Sequence, residues 1–195
     1  MRAELKIKHI PSSRRNLMRA AACGAVALIL ASCSTTPSER SDIDARARTA
    51  LEDLYRTTPA AKSVADGSAG VLVFPSVTQG GLIVGGQYGQ GVMFKGGQSA
   101  GYYNITGGSL GLQAGAQTFS QAYFFTTPDA LKTFEDTKGF EVGAGLDFAV
   151  ADVGASGDIS SSTLQKPLVI FAWGQQGLMA GVKVEGQKIT RLENQ

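Results

Sequence analysis

Histidine and cysteine, the side chains most often used as bases, nucleophiles and metal ligands, occur only near the start of this chain. The single histidine is His9, and the two cysteines are Cys23 and Cys33. From residue 34 onward neither type occurs. That stretch cannot assemble a Ser-His-Asp or Cys-His nucleophile. It also lacks the imidazole and thiolate ligands that zinc and other transition metals use. Chemistry there would have to rest on carboxylates, lysines or tyrosines. Glu141 and Asp147 lie in one strand-rich stretch, with Asp152 and Asp158 following. Their spacing alone does not establish that any two converge at the separation that glycoside hydrolysis requires, and solubility is the ordinary role of such side chains. The glycines contain no G-x-x-x-x-G-K-[ST], and no G-x-G-x-x-G that opens a helix after a strand. We therefore expect no catalytic residue, no cofactor and no metal, and a chain that is not an enzyme.

Cys33 is the exception, because its surroundings give its thiol a task. Residues 1–32 read as a signal peptide. Arg2, Lys6, Lys8, Arg14, Arg15 and Arg19 make a basic start, and residues 20–31 are apolar. That run is shorter than the roughly 20 residues a membrane helix needs. It ends in Leu30-Ala31-Ser32-Cys33, which resembles a bacterial lipobox. In that reading the chain is cleaved before Cys33 and the thiol carries a covalent lipid. The alternative is a plain signal peptide with an incidental cysteine. Several acyl chains, each contributing about 0.8 kcal/mol per buried CH₂, would anchor the protein permanently. Residues 13–19 (SRRNLMR) resemble a twin-arginine export signal, and an ordinary Sec signal fits equally well. Ser34 rather than an aspartate follows the cysteine. That favours the outer membrane, with the domain on its periplasmic face.

Cleavage also changes the charge. From Cys33 onward there are 12 Lys and Arg against 15 Asp and Glu, so the net charge of +2 for the whole sequence comes from the leader. Nothing in that balance suggests a nucleic-acid partner. With Cys23 removed and Cys33 acylated, no disulfide is possible.

The elements that would position any site follow in order. Residues 33–41 read as the lipidated cysteine and a short polar tether. A helix is expected from Ser41, its N-cap, with Ile43, Ala47, Ala50, Leu51 and Leu54 forming one apolar stripe. Either this helix lies on a sheet with its charges in solvent, or it engages a lipid surface. Thr58-Pro59 starts a second, shorter helical segment, and Asp66-Gly67 stops it. Short Val-, Ile-, Phe- and Tyr-rich runs cut by glycine then predict strands at residues 71–74, 81–88, 91–95, 101–105, 110–119 and 121–126. Thr127-Pro128-Asp129 opens a helix to about residue 137, with Leu131 and Phe134 facing inward. Strands resume over residues 140–151, and residues 167–173, 178–185 and 188–192 predict a closing meander. The form G-apolar-x-[AV]-G recurs at residues 81–85, 111–115, 139–143 and 177–181. We expect these four segments to be equivalent strands of a strongly curved sheet.

Several of these segments carry a family resemblance. Residues 70–75 (GVLVFP), 80–91 (GGLIVGGQYGQG), 101–104 (GYYN), 111–120 (GLQAGAQTFS), 139–145 (GFEVGAG) and 174–181 (GQQGLMAG) are similar, in order, to the SYLF domain, also called the Ysc84 actin-binding domain. The similarity runs over residues 43–192. It implies lipid binding, to phosphoinositides in eukaryotic members, and actin binding in fungal ones. The export signal argues against carrying either ligand over unchanged.

Together these readings predict an α+β fold. A curved antiparallel β-sheet, either a sandwich or a partly closed barrel, is covered by an N-terminal amphipathic helix and a short middle helix. The domain would span residues 42–195. The expected function is a lipid-binding outer-membrane lipoprotein whose partners are anionic headgroups. The candidates for headgroup contact are Arg46, Arg48, Arg56, Lys62 and Lys95, nominated for charge and for nearness to the tether. The alternative is a structural or adaptor lipoprotein that binds an envelope protein, with actin as a remoter case. A transmembrane barrel is disfavoured, because runs such as VLVF and LVIFAW do not alternate.

Overall fold

The computed structural model describes residues 36–81, 84–110, 115–137, 139–144, 146–152, 165–177, 184 and 186–192. The leader, Cys33 and Asp158 lie outside the described residues. Those described belong to one compact unit, Ser34–Gln195.

Helix α1 (Pro37–Thr57) begins before the Ser41 cap expected from the sequence. Thr36 is its N-cap. The Thr36 N–H donates to Glu39 Oε2 at 2.6 Å, and the Glu39 N–H donates to Thr36 Oγ1 at 3.3 Å. This reciprocal capping box satisfies two helix-end donors at once, and Pro37 occupies a position where its missing N–H is harmless. Residues 37–41 are thus the first helical turn and not tether, while the Ser41 hydroxyl donates to the Ser38 carbonyl. Helix α2 (Pro59–Gly67) follows with Thr58 at its N-cap position, although the Thr58 side chain makes no capping bond.

Eight strands form one sheet: β1 (Gly70–Gly81), β2 (Val84–Lys95), β3 (Gln98–Leu110), β4 (Gly115–Phe125), β5 (Phe140–Glu141), β6 (Phe148–Asp152), β7 (Leu168–Gly177) and β8 (Lys188–Arg191). Their order is β5-β8-β3-β2-β1-β4-β7-β6. The sheet curls into a half-barrel. The pairings are antiparallel except β6 with β7, which run parallel, so the sheet is mixed. Helix α3 (Pro128–Asp136) matches the helix expected there. Its cap is Thr127, whose side chain accepts from the Ala130 N–H.

The six short strands expected between residues 71 and 126 are four long ones. Pro75 does not end β1. It sits in a bulge, where the register shifts between Val73 and Ser76 toward β2 and between Phe74 and Val77 toward β4. A bulge absorbs a residue that cannot donate to the ladder, and Ser120 Oγ donates to the Pro75 carbonyl at 2.9 Å. The bulge brings backbone close to β2. A Cβ on Gly91 would stand 2.3 Å from the Val73 carbonyl oxygen, so only glycine fits there.

The non-alternating run VLVF is explained by burial on both faces. Val71 and Val73 pack with Ile43, Ala47 and Leu54 of α1 and Ala61 of α2. Leu72 and Phe74 pack on the opposite face with Leu131 and Phe134 of α3. Each side chain of this run therefore enters one of two apolar layers.

Two further expectations fail. The last strands are no meander: β7 pairs with β4 and β6, while β8 pairs with β3 and β5. Residues 140–151 split into β5 at one sheet edge and β6 at the other, and Val142 and Leu146 between them, with Phe148 of β6, join the α3-side layer. The glycine echo does not mark equivalent strands either. Of its described members, Gly81 ends β1, Gly85 lies at the start of β2, Gly115 opens β4 and Gly177 ends β7. Gly139 and Gly143 instead have φ of +86° and +96°. At Gly139 and Gly143 glycine serves a backbone conformation that L side chains rarely adopt. Residues 82–83, 111–114 and 178–181 lie outside the described residues.

Candidate functional site

The registers of β3 and β8 set up the site. Tyr103 lies opposite Arg191 and Ile105 opposite Ile189, and Ile189 also faces Phe140 of β5. Helix α3 docks here through Phe134. Its ring centroid lies 5.3 Å from Tyr103, 4.9 Å from Phe125 and 5.3 Å from Phe140. Between α3 and the β3–β8 edge this packing leaves a groove of about 460 Å³. Tyr103, Phe134 and Ile189 form its floor, and Glu135, Thr137, Gly139, Lys188, Thr190 and Arg191 complete the lining. The floor is 4 % exposed or less at each of its three apolar residues. A ligand therefore meets mainly the rim.

The rim is basic. The Arg191 guanidinium lies 6.0 Å from the centre of the Tyr103 ring and donates to the Ala100 carbonyl at 3.4 Å. Lys188 passes over Gly139, where a Cβ would come within 2.8 Å of the lysine Cε. Glycine at 139, with its positive φ, lets the lysine stem lie flat. Among the described residues Lys188 makes no ion pair. The one acid of the lining, Glu135, is paired with Lys95 at the end of β2. Burial raises the Tyr103 phenol above its usual value; Arg191 opposes that shift and Glu135 adds to it. The phenol is therefore neutral at ordinary pH. The groove can hold an anion against two cations and an aromatic wall.

One end of α1 lies nearby. Arg48 Nη2 donates to the Gly97 carbonyl at 3.1 Å and its guanidinium stands 4.7 Å from the Phe94 ring centre. Ser99 Oγ donates to Asp44 Oδ2 at 2.7 Å. Arg40 lies 5.4 Å from the centre of the Tyr102 ring, and the Leu192 N–H donates to the Tyr102 carbonyl. The N-terminal half of α1, the β2–β3 hairpin and the end of β8 thus share one end of the domain with the groove.

The residues nominated from the sequence are dispersed. Arg46 pairs with Asp42, Arg56 with Asp53 and Lys62 with Asp66, all along their own helices. Arg48 is held at the hairpin. Lys95 alone reaches the groove, through Glu135. Lys188, Arg191 and Tyr103 were not nominated, because only the β3–β8 pairing brings them together. The one signal was two cations, three residues apart, in a predicted terminal strand. Among the carboxylates, Asp147 pairs with Lys166 at 2.7 Å and Glu141 is exposed on β5. Cys33 lies outside the described residues.

A comparison with curated proteins returned no match. A comparison with protein families matched residues 106–195 to Ysc84, described as "Las17-binding protein actin regulator". The matched segment starts within β3 and includes α3 and β8, hence most of the groove lining, whereas the resemblance read from sequence began at residue 43. Over residues 106–195 the chain is thus similar to the Ysc84 (SYLF) family.

Proposed function

We propose that this protein is a non-enzymatic, membrane-anchored lipoprotein whose domain binds the anionic headgroups of lipids at the α3–β8 groove. The observation that supports this most is the basic rim of Lys188 and Arg191 beside the neutral Tyr103 phenol. Lipidation of Cys33, after export to the outer membrane, would keep the groove close to such headgroups. Only Ser34 and Thr35 separate that cysteine from the Thr36 cap. Three residue steps extend at most about 11 Å, so the start of α1 would stay at the bilayer surface. The groove shares that end of the domain.

Vesicle co-sedimentation of residues 34–195 tests the reading. Each cation near an anionic surface contributes about 1 kcal/mol. The double variant Lys188→Ala/Arg191→Ala should then bind phosphatidylglycerol-containing vesicles roughly 10- to 30-fold more weakly than the parent. Binding of the parent should fall with added salt and be absent on phosphatidylcholine. No binding to any vesicle would overturn the proposal. It would favour a protein partner, the kind of ligand that the family description names.

A further inference from the structure

The outer face of the sheet, on the side of α1 and α2, is covered over only part of its length. Beyond Val73 and Val92 the strands β3, β2, β1, β4 and β7 run on uncovered. Their registers align one cross-strand row: Thr106 opposite Tyr88, Tyr88 opposite Thr78, Thr78 opposite Thr118, and Thr118 opposite Gln176. All five are exposed, and Tyr88 is 51 % accessible, one of two large hydrophobic side chains exposed among the described residues. The next row along the same face is Gly108, Gly86, Gly80 and Ala116. It has no side chain larger than a methyl group. A row of hydroxyls, an amide and a phenol therefore walls a shallow trough whose floor is backbone. At about 4.8 Å per strand the wall is roughly 19 Å long.

Along its five strands the trough's row is uncharged, and charge enters it at Lys188, the next residue of the same row. Between Asp66 and Asp129 the sequence has one charged residue, Lys95, and it sits at the opposite end of β2 from Gly86. The first cation met along the wall is Lys188, opposite Thr106 on β8. A nucleic acid would need phosphate contacts that the trough does not offer. An acyl chain would leave the threonine and glutamine groups without partners. An added strand would need a free sheet edge, and this is a face. A long, uncharged ligand with hydroxyl groups and apolar ring faces matches what is present. Its ring faces would stack on Tyr88, whose half-exposed ring is apolar. Its hydroxyls would pair with Thr78, Thr106, Thr118 and Gln176. We propose that this trough binds a neutral polysaccharide strand, independently of the lipid headgroup reading.

The test is co-sedimentation of the full chain, in mild detergent, with three insoluble neutral polysaccharides: chitin, cellulose and xylan. Two variants change the trough and spare the core. Tyr88→Ala removes the stacking ring. Gly108→Leu fills the floor, at a position where a Cβ meets nothing within 4 Å. The expected result is saturable binding to at least one polysaccharide, weakened at least tenfold by each variant, with unchanged thermal unfolding. Failure to bind all three would overturn the proposal, as would binding indifferent to both variants. A dimer that both variants dissolve would overturn it too, because a second copy of the chain would then occupy the trough.

Discussion

At the scale of single residues, the sheet depends on positions where one atom decides. Gly91 faces the Pro75 bulge, and a methyl group there would press on the Val73 carbonyl oxygen and the Phe74 ring. Gly91→Ala should lower stability by about 1–3 kcal/mol, read as a lower urea midpoint at unchanged slope. Gly108→Ala should leave the midpoint within about 0.5 kcal/mol of the parent. Tyrosines set the alkaline limit. Burial pushes Tyr55 up to about 12, with Asp66 adding to the shift, and burial holds Tyr123 well above the usual phenol value. Below pH 10 both phenols are neutral in the folded and unfolded chain, and their contribution is fully present. As pH rises past about 10 the unfolded chain ionises first, so stability is lost from there upward. Urea midpoints should hold near pH 9 and decline as pH rises through about 10 to about 11. Tyr123 also donates to Gln187, which exchanges amide bonds with Gln121 at 3.2 Å in each direction. Gln187→Leu should cost about 1–3 kcal/mol by leaving that buried hydroxyl and the Gln121 amide without their shared partner.

At the scale of elements, much of the fold was legible. The stripe of Ile43, Ala47 and Leu54 gave α1 its buried face, and Thr127-Pro128-Asp129 fixed the start of α3. The start of α1 was misread because Thr36-Pro37-Ser38-Glu39 is polar and contains proline, which suits a tether. The same four residues form a capping box, a stronger signal than a lone serine at 41. Thr36→Ala should cost about 1 kcal/mol and fray the first turn, seen as faster amide exchange there. Sequence alone makes the strands too short, because proline and glycine ordinarily break them. In this sheet they form a bulge and the close contact facing it. Helix α3 is held by one ring against three others. Phe134→Ala should cost about 3–5 kcal/mol and weaken anion binding at the groove beyond its effect on folding.

At the scale of the whole molecule, the topology decides what can meet. Local pattern located the strands of β1 to β4, but nothing local shows that β8 leaves β7 to pair with β3, or that β6 runs parallel to β7. The curved sheet was read correctly, and the groove was not, because its rim comes from that long-range pairing. The helix cations were nominated for lying near the tether. In the folded chain Arg46, Arg56 and Lys62 answer acids one turn away. Long-range pairing also separates a basic end, with the groove, the β2–β3 hairpin and the start of α1, from an uncharged stretch that carries the trough.

The central claim is that anionic lipid is held at the groove. The most direct measurement is a titration of isotope-labelled residues 34–195 with a short-chain phosphatidylglycerol, followed by amide shifts in nuclear magnetic resonance. We predict saturable shifts concentrated at Thr137, Gly139 and residues 188–191, and abolished by Lys188→Ala/Arg191→Ala. Shifts confined to the exposed face of α1, around Arg46 and Arg56, with residues 188–191 unmoved, would contradict the claim.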